Sequence, residues 1–351
     1  MPPVRFGVHI HIEGSARRVV EQVRLAEELG YDSAWVGDSQ MIMPEPYSVL
    51  GACALNTERI TLAMGVSNTG TRHPTVIASG LAALADLAPG RVATVMGVGG
   101  SSHGALGRKK ERLVDFRRNF ELIARLLQGE EVTYNSRDIK LVWATPEHTK
   151  QVRLFVHAGG PKGQHQAGEM GYGVELPVSQ SALPGAVERV NAGAVAAGRT
   201  VRDMDVCAWG SISISDDWQA IKEHMAASMS MRISGSYRAL RDGMIREGDL
   251  VVDIDLARRV HELFDHVEHA VGNSRAAQLV LQQPDELWKE WVKSSLIGTP
   301  EEVAERMRPA FEHEAVSDIV ISPRLSVGRL SVESIMETFA TKVRPLLSGA
   351  V

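Results

Sequence analysis

Cysteine is nearly missing from this chain: there are two in 351 residues, Cys53 and Cys207. Both lie in apolar text, which rules out a disulfide framework and reads each as a buried, reduced, small hydrophobe. Long apolar runs are missing too, and none reaches the length needed to cross a bilayer. The opening Met1-Pro2-Pro3-Val4-Arg5-Phe6 has no secretory pattern, which points to a soluble, cytoplasmic protein. Positive charge is not in excess. Against 38 Lys and Arg stand 43 Asp and Glu, a net charge of -5, the wrong sign for holding a nucleic acid by general attraction. No His-Glu-x-x-His pattern and no cysteine pair occurs, so no metal is expected. His261, Asp265 and His269 recur every four residues on one expected helix, but Asp255, Arg258, Arg259, Glu262 and Glu268 around them are the pattern of a solvated face. Gly97-Val98-Gly99-Gly100 lacks the spacing and the downstream acid of a dinucleotide fingerprint.

What is present is a globular composition, 44% hydrophobic and 23% charged. Strand and helix signals alternate along it. Strands are expected at residues 5–10, 33–36, 60–66, 91–96, 154–158, 173–176, 206–214 and 317–321, with amphipathic helices between them, among them one over 108–127. Eight such units predict an α/β fold, the (β/α)8 barrel, as a single domain over residues 1–351. A doubly wound open sheet is the alternative. Two stretches interrupt the alternation. Residues 129–151 carry strand-type text around Asn135-Ser136, a hairpin insertion; residues 232–296 are long, charged and helical, an insertion between strands seven and eight.

In such a barrel, chemistry gathers at the C-terminal ends of the strands. Those ends carry His9, His11 and Glu13; Asp38 and Ser39; Gly65-Val66-Ser67-Asn68, then Arg72-His73; Gly97, Gly99, Ser101, Ser102 and His103; His157 and Ala158; and Glu175 with the loop at 177–181. A rim rich in glycine and small polar residues, with few acids, suits a flat polar cofactor held largely by backbone. Gly159 and Gly160 allow close approach of a ligand to the main chain. Pro161 suits the first position of a helix, and the N–H groups of that first turn, with Lys162, favour an anion. Gly159-Gly160-Pro161-Lys162 is therefore either a phosphate cradle or an ordinary strand-to-helix turn. Histidine as a residue type suits the passing of a proton, which makes His9 and His103 candidates, although His9 also fits the barrel interior. His73 precedes Pro74 and equally fits a helix cap, and Arg72 suits either a neighbouring acid or an anionic tail.

Several ordered stretches together resemble one family. They are Tyr31-Asp32-Ser33-Ala34-Trp35-Val36-Gly37-Asp38, Thr57-Glu58-Arg59-Ile60, Gly65-Val66-Ser67-Asn68-Thr69-Gly70-Thr71-Arg72-His73-Pro74, Gly159-Gly160-Pro161-Lys162 with Ala167-Gly168-Glu169, and Ile297-Gly298-Thr299-Pro300-Glu301-Glu302-Val303. The chain is similar to the bacterial luciferase-like superfamily, most of all to its methylenetetrahydromethanopterin reductase-like branch. The resemblance implies an oxidoreductase, commonly a homodimer, that holds a deazaflavin coenzyme (F420) or FMN at the C-terminal rim and acts on a small organic molecule. It places the ring against a bulge with a non-prolyl cis peptide at Gly65-Val66, continued by Ser67. Asp38 would lie near the ring edge, Gly97 and Gly99 along the rim, and Ala158, Gly159, Gly160, Pro161 and Lys162 at the phosphate-bearing tail. Ser39 stands where the family commonly has histidine and Gly100 where many deazaflavin members have an acid, which shifts proton handling to His9, Asp38 and His103. The expected reaction is hydride transfer to or from an unsaturated or carbonyl carbon. The alternatives are an FMN-dependent monooxygenase supplied by a flavin reductase, and a flavin-binding barrel without catalysis.

Overall fold

The computed structural model describes residues 3–11, 14–177, 179, 182–243, 245–250, 252–265, 273–293, 295–323 and 328–349. All eight expected strands are there: β1 Arg5–Ile10, β2 Ser33–Val36, β3 Thr61–Asn68, β4 Val92–Gly97, β5 Arg153–His157, β6 Gly173–Pro177, β7 Val206–Ile214 and β8 Asp318–Pro323. Hydrogen-bonded neighbours run β7-β8-β1-β2-β3-β4-β5-β6, and β6 pairs back onto β7, with Val174 opposite Val206. The ring is closed and parallel, a (β/α)8 barrel. A doubly wound sheet would leave two open edges and is excluded.

The chain divides into two compact units. One holds the residues up to Gly210 together with Pro309–Ser322; the other holds Ser211–Arg308 and the chain from Pro323 onward. The second contains the helices Trp218–Arg241, Ile254–Leu263, Arg275–Leu281 and Asp285–Val292 around a core of its own, with Met225, Met229, Ile233, Val260, Trp288 and Trp291 buried. Helix thus begins at Trp218, ahead of the expected start at 232. The short strand Leu296–Gly298 pairs with Ile212–Ile214 in this unit. His269 lies outside the described residues, as do Glu13 and most of the 177–181 loop. Among the described residues no helix is long and apolar enough to cross a membrane, and no group of three or more His, Cys, Asp or Glu side chains is placed to hold a metal ion.

Within the first unit the helices follow their sequence signals. In α1, Ala16–Glu28, the Ser15 hydroxyl caps the N-terminus and Val19, Val23 and Ala26 are buried. Glu45 caps α2, Pro46–Ala54, and the His73 ring caps α3, Pro74–Leu87. The helix expected over 108–127 begins later, as α4, Leu113–Leu127, and a short helical turn at Ser101–Ala105 precedes it. After it, Val132–Tyr134 and Arg137–Ile139 form the expected hairpin. Asn135 and Ser136 take φ of 48° and 61°, the left-handed pair that a two-residue turn matched to strand twist requires.

Glu27, near the end of α1, accepts hydrogen bonds from the backbone N–H groups of Glu58, Arg59 and Ile60 at 3.0, 2.6 and 2.9 Å. Burial acts to raise its pKa, but the three N–H groups outweigh that and hold it below the ordinary carboxyl value. Glu27→Ala leaves those donors without a partner. Urea unfolding should show a loss of about 1–2 kcal/mol at neutral pH.

The barrel is filled by Trp35, Ala63, Ala93, Val95, Phe155, Cys207 and Val320. Trp35 lies across the middle, its Nε1–H donating to Ser33 Oγ at 2.8 Å. A Cβ at Gly7 would fall 2.3 Å from that hydroxyl and 2.9 Å from the indole nitrogen, so glycine is needed there. Burial pushes the Cys53 thiol up to about 12 and raises that of Cys207 as well, which keeps both protonated. At the N-terminal end of the ring, Arg5, Arg153, Asp205 and Asp318 form one ion network. Asp318, 1% exposed, accepts from Arg5 and Arg153 at 2.8 Å each.

The two helices after β5 and β6, α5 Pro161–Met170 and α6 Leu183–Ala196, touch backbone to backbone. A Cβ at Gly168 would lie 2.0 Å from the Val190 carbonyl oxygen, and one at Gly193 would lie 1.9 Å from that of His165.

Candidate functional site

A polar cavity of about 200 Å³ opens at the C-terminal ends of β2 to β5. It is lined by Asp38 and Ser39, by Val66, Ser67 and Asn68, by the run from Val98 to Ser102, and by Lys110 and His157. A larger hollow of about 440 Å³ runs between α1 and α2, away from the strand ends, among side chains of the helix surfaces.

One wall of the cavity comes from β3. Its pairing with β4 slips between Met64 and Ser67, and the Gly65–Val66 peptide is cis, as the family resemblance implied. The glycine is required by what lies behind it: a Cβ on Gly65 would meet Val95 Cγ1 at 2.8 Å, Trp35 at 3.0 Å and Trp209 at 3.1 Å. The slip turns Val66 and Ser67 towards the cavity.

Asp38 is 4% exposed and carries the charge on that wall. Its Oδ2 accepts from Ser67 Oγ and from Arg72 Nη1, both at 2.7 Å. Arg72 also reaches Glu45 at 3.2 Å and lies over the Tyr47 ring at 5.5 Å. Burial opposes the Arg72 charge, but the bond to Asp38 prevails and holds its pKa above the usual value. Burial, with the charge of Asp38, drives the Tyr47 phenol well up. Of the two roles open to Arg72 in the sequence, pairing with neighbouring acids is the one observed.

The loop after β4 is held by hydroxyl groups. Ser39 Oγ lies 3.1 Å from Ser101 Oγ, Asn68 Nδ2 donates to Ser102 Oγ at 3.1 Å, and Thr69 donates to Glu111 at 2.5 Å. Gly99 takes φ 77°, and a Cβ at Gly100 would meet nothing within 4 Å. The rim there is bare backbone that a ligand can approach.

The proposed site residues sort into three groups. Asp38, Val66, Ser67 and Gly99 line the cavity. Gly65 and Gly97 stand directly behind the wall, and Ala158, Gly159, Gly160, Pro161 and Lys162 carry the chain from β5 into α5, where the Lys162 side chain is exposed and takes no part in the cavity wall. His9 and His103 are away from it. His9 points into the barrel: its Nδ1 is 2.9 Å from Ser322 Oγ, and its ring packs against His11 and Trp209 with centroids 4.3 and 4.8 Å apart. His103 is buried in a slot between Gly70 and Gly99, where a Cβ would come within 2.6 and 2.8 Å of its ring, and its Nδ1 is 2.9 Å from the Lys109 carbonyl oxygen. It is a brace of the loop. Its place in the glycine-rich text suggested exposure to the cavity, but the short helix at Ser101–Ala105 turns it inward.

A pairing that the sequence did not reveal lies at the cavity instead. His157 lines the cavity, and its Nδ1 is hydrogen-bonded to Glu175 Oε2 on the adjacent strand. The charge of Glu175, against the effect of burial and of Lys110, holds the imidazole pKa above its ordinary value. Both residues stood among the strand-end candidates, 18 positions apart. Only the β5–β6 register, His157 opposite Glu175, brings them together.

The arrangement fits a flavin-type cofactor. It has a flat wall at Val66, hydrogen-bonding groups at Asp38, Ser67 and Asn68, and bare glycine backbone at the rim. Comparison with known proteins agrees. The profile of the luciferase-like monooxygenase family matches residues 1–317, and the chain belongs to that family as an enzyme. It is 30% identical over 235 residues to a 5,10-methylenetetrahydromethanopterin reductase of Methanolobus tindarius, covering 66% of this chain and 72% of that protein. It is 35% identical over 241 residues to an F420-dependent glucose-6-phosphate dehydrogenase of Beutenbergia cavernae, covering 61% of this chain and 69% of that one. The fold is shared with the coenzyme F420-dependent tetrahydromethanopterin reductase of Methanopyrus kandleri, with a TM-score of 0.78 at 23% identity over 98% of this chain and 99% of that one.

Proposed function

We propose that the protein is a deazaflavin (F420)-dependent oxidoreductase that moves a hydride between the reduced coenzyme and an unsaturated or carbonyl carbon of a small organic substrate. The carrying observation is the cavity built on the Gly65–Val66 bulge, with Asp38, Ser67 and Asn68 on its wall and glycine at its rim. The names of the relatives support the choice of coenzyme. When bound, the deazaflavin would supply the hydride chemistry. The chain supplies the rest. Val66 gives the ring a surface, Ser67 and Asn68 offer hydrogen bonds along its edge, and Arg72 holds the Asp38 side chain in place at the cavity wall. The homodimer and the cytoplasmic location expected from the sequence belong to this reading.

The second reading is an FMN-dependent monooxygenase served by a flavin reductase, and it is favoured by the description of the family profile. Fluorescence titration of the purified protein with oxidised F420 and with FMN separates the two. F420 should bind more tightly, and Asp38→Ala should weaken it about tenfold or more, the loss of one charge-assisted contact. Preference for FMN, with oxygen uptake when reduced FMN is supplied, would select the monooxygenase. Binding of neither would end both.

A further inference from the structure

His157 lines the cavity and is paired with a buried acid, Glu175. It ends β5, and its ring occupies a slot that exists because two neighbours lack side chains. A Cβ at Gly97 would lie 3.1 Å from His157 Cβ and 3.2 Å from Cδ2; a Cβ at Gly159 would lie 3.3 Å from Nε2. Glu175, 7% exposed, holds Nδ1 of a ring whose side chain is 40% exposed, which leaves Nε2 beside Gly159. Lys110 lines the same cavity with its side chain exposed.

Resting on the cofactor reading above, we propose that His157, braced by Glu175, forms with Lys110 a side-chain subsite for the phosphate of the cofactor's tail. The charge balance supports an anion there. The groups facing the imidazole are Glu175 from β6, Lys110 from the loop after Ser101–Ala105, and Asp38 across the cavity, whose charge is already met by Arg72. An imidazolium N–H and an ammonium group remain for a ligand, and charge-assisted bonds to phosphate oxygens are the strong kind. Lys162, which the sequence put in this role, is exposed on α5 and lines no part of the cavity.

The proposal carries a pH signature. Glu175 raises the His157 pKa, so the cation persists to higher pH than in an ordinary imidazole and is lost as pH rises through that raised value. Affinity for a phosphate-bearing ligand should fall with it, and affinity for the same ring without phosphate should not. The test uses F420 and its phosphate-free ribityl deazaflavin, titrated by fluorescence across the pH range in which NMR shows the His157 ring titrating, with wild type, His157→Gln and Glu175→Gln.

In wild type the advantage of F420 over the phosphate-free compound should shrink about tenfold or more across that range. His157→Gln should lose about tenfold of the advantage, keeping what Lys110 supplies, and show a flat profile; Glu175→Gln should shift the loss to lower pH. The His157 ring signal in NMR should titrate at higher pH once F420 is bound, a readout independent of turnover. Circular dichroism of both variants checks the fold. Parallel pH profiles for the two compounds, or an unchanged F420 advantage in His157→Gln, would overturn the subsite and leave the cofactor reading intact. Failure of both compounds to bind at any pH would overturn the cofactor reading and the subsite with it.

Discussion

Asp318→Ala should lower the unfolding free energy by about 3 kcal/mol at neutral pH, measured by urea denaturation, because removing one partner of a buried ion pair strands the others. Asp318 is 1% exposed and receives both Arg5 and Arg153, while those arginines keep side-chain exposures of 38% and 24%. Partial hydration of the arginines after the substitution places the loss at the lower end of the usual range. Burial works to raise the Asp318 pKa, but the two arginines prevail and hold it below the ordinary value. The sign follows from linkage. A carboxyl depressed in the folded state stabilises above its unfolded pKa, and that contribution is lost as pH falls through the folded one. The gap between wild type and variant should therefore stay constant through neutral pH and narrow only in acid, below about pH 4. A gap that is unchanged in acid would mean that Asp318 acts by packing and not by charge.

Gly193→Val should cost at least as much, about 3 kcal/mol or beyond, and should weaken cofactor binding at a distance. Its Cβ would fall 1.9 Å from the His165 carbonyl oxygen, and backbone on both sides leaves no side chain to move aside. The overlap can be relieved only by separating α5 from α6, beyond the usual cost of overpacking. Since α5 carries the Gly160-Pro161 turn at its start, displacing it also disturbs the rim. Gly235, inside the helix Trp218–Arg241, is the matched control. Nothing lies within 4 Å of its Cβ position, so Gly235→Ala should be neutral or stabilising by up to about 1 kcal/mol. Thermal melts of the two variants, read beside F420 titrations, check both statements. Equal behaviour of the two would refute the close-contact account.

The barrel was legible because its evidence is repeated. Eight apolar strands separated by amphipathic helices leave few topologies, and each boundary error is local. The glycine-rich rim and the Gly65–Val66 bulge were legible for a related reason, since backbone features keep close to their sequence text. Side-chain partnerships at the site were not. Asp38 was identified, but its bond to Arg72 depends on how the loop after β3 folds back over 34 residues. His103 looked accessible because glycine surrounds it, whereas Gly70 and Gly99 make room to bury it. Lys162 looked like the anion's counter-charge because it follows the Gly-Gly-Pro turn, yet α5 directs it to solvent. The His157–Glu175 pair is set by strand register, which no local pattern encodes. The available hint was two ionisable residues at the ends of consecutive buried strands, where an unpaired charge would be costly.

The ion network at the base of the barrel also bears on how the chain assembles. Arg5 and Asp318 are 313 positions apart, and β8, the strand that completes the ring, is the last to leave the ribosome. Until it arrives, β1 and β7 present bare edges, and Arg5 and Arg153 lack their shared acid. The first half of the molecule can form its strand–helix pairs early, but closure waits for a contact of very high sequence separation, the slow kind in folding. A nascent chain stalled shortly before Asp318 is an open sheet with two unpaired margins. Such an intermediate invites aggregation or chaperone capture.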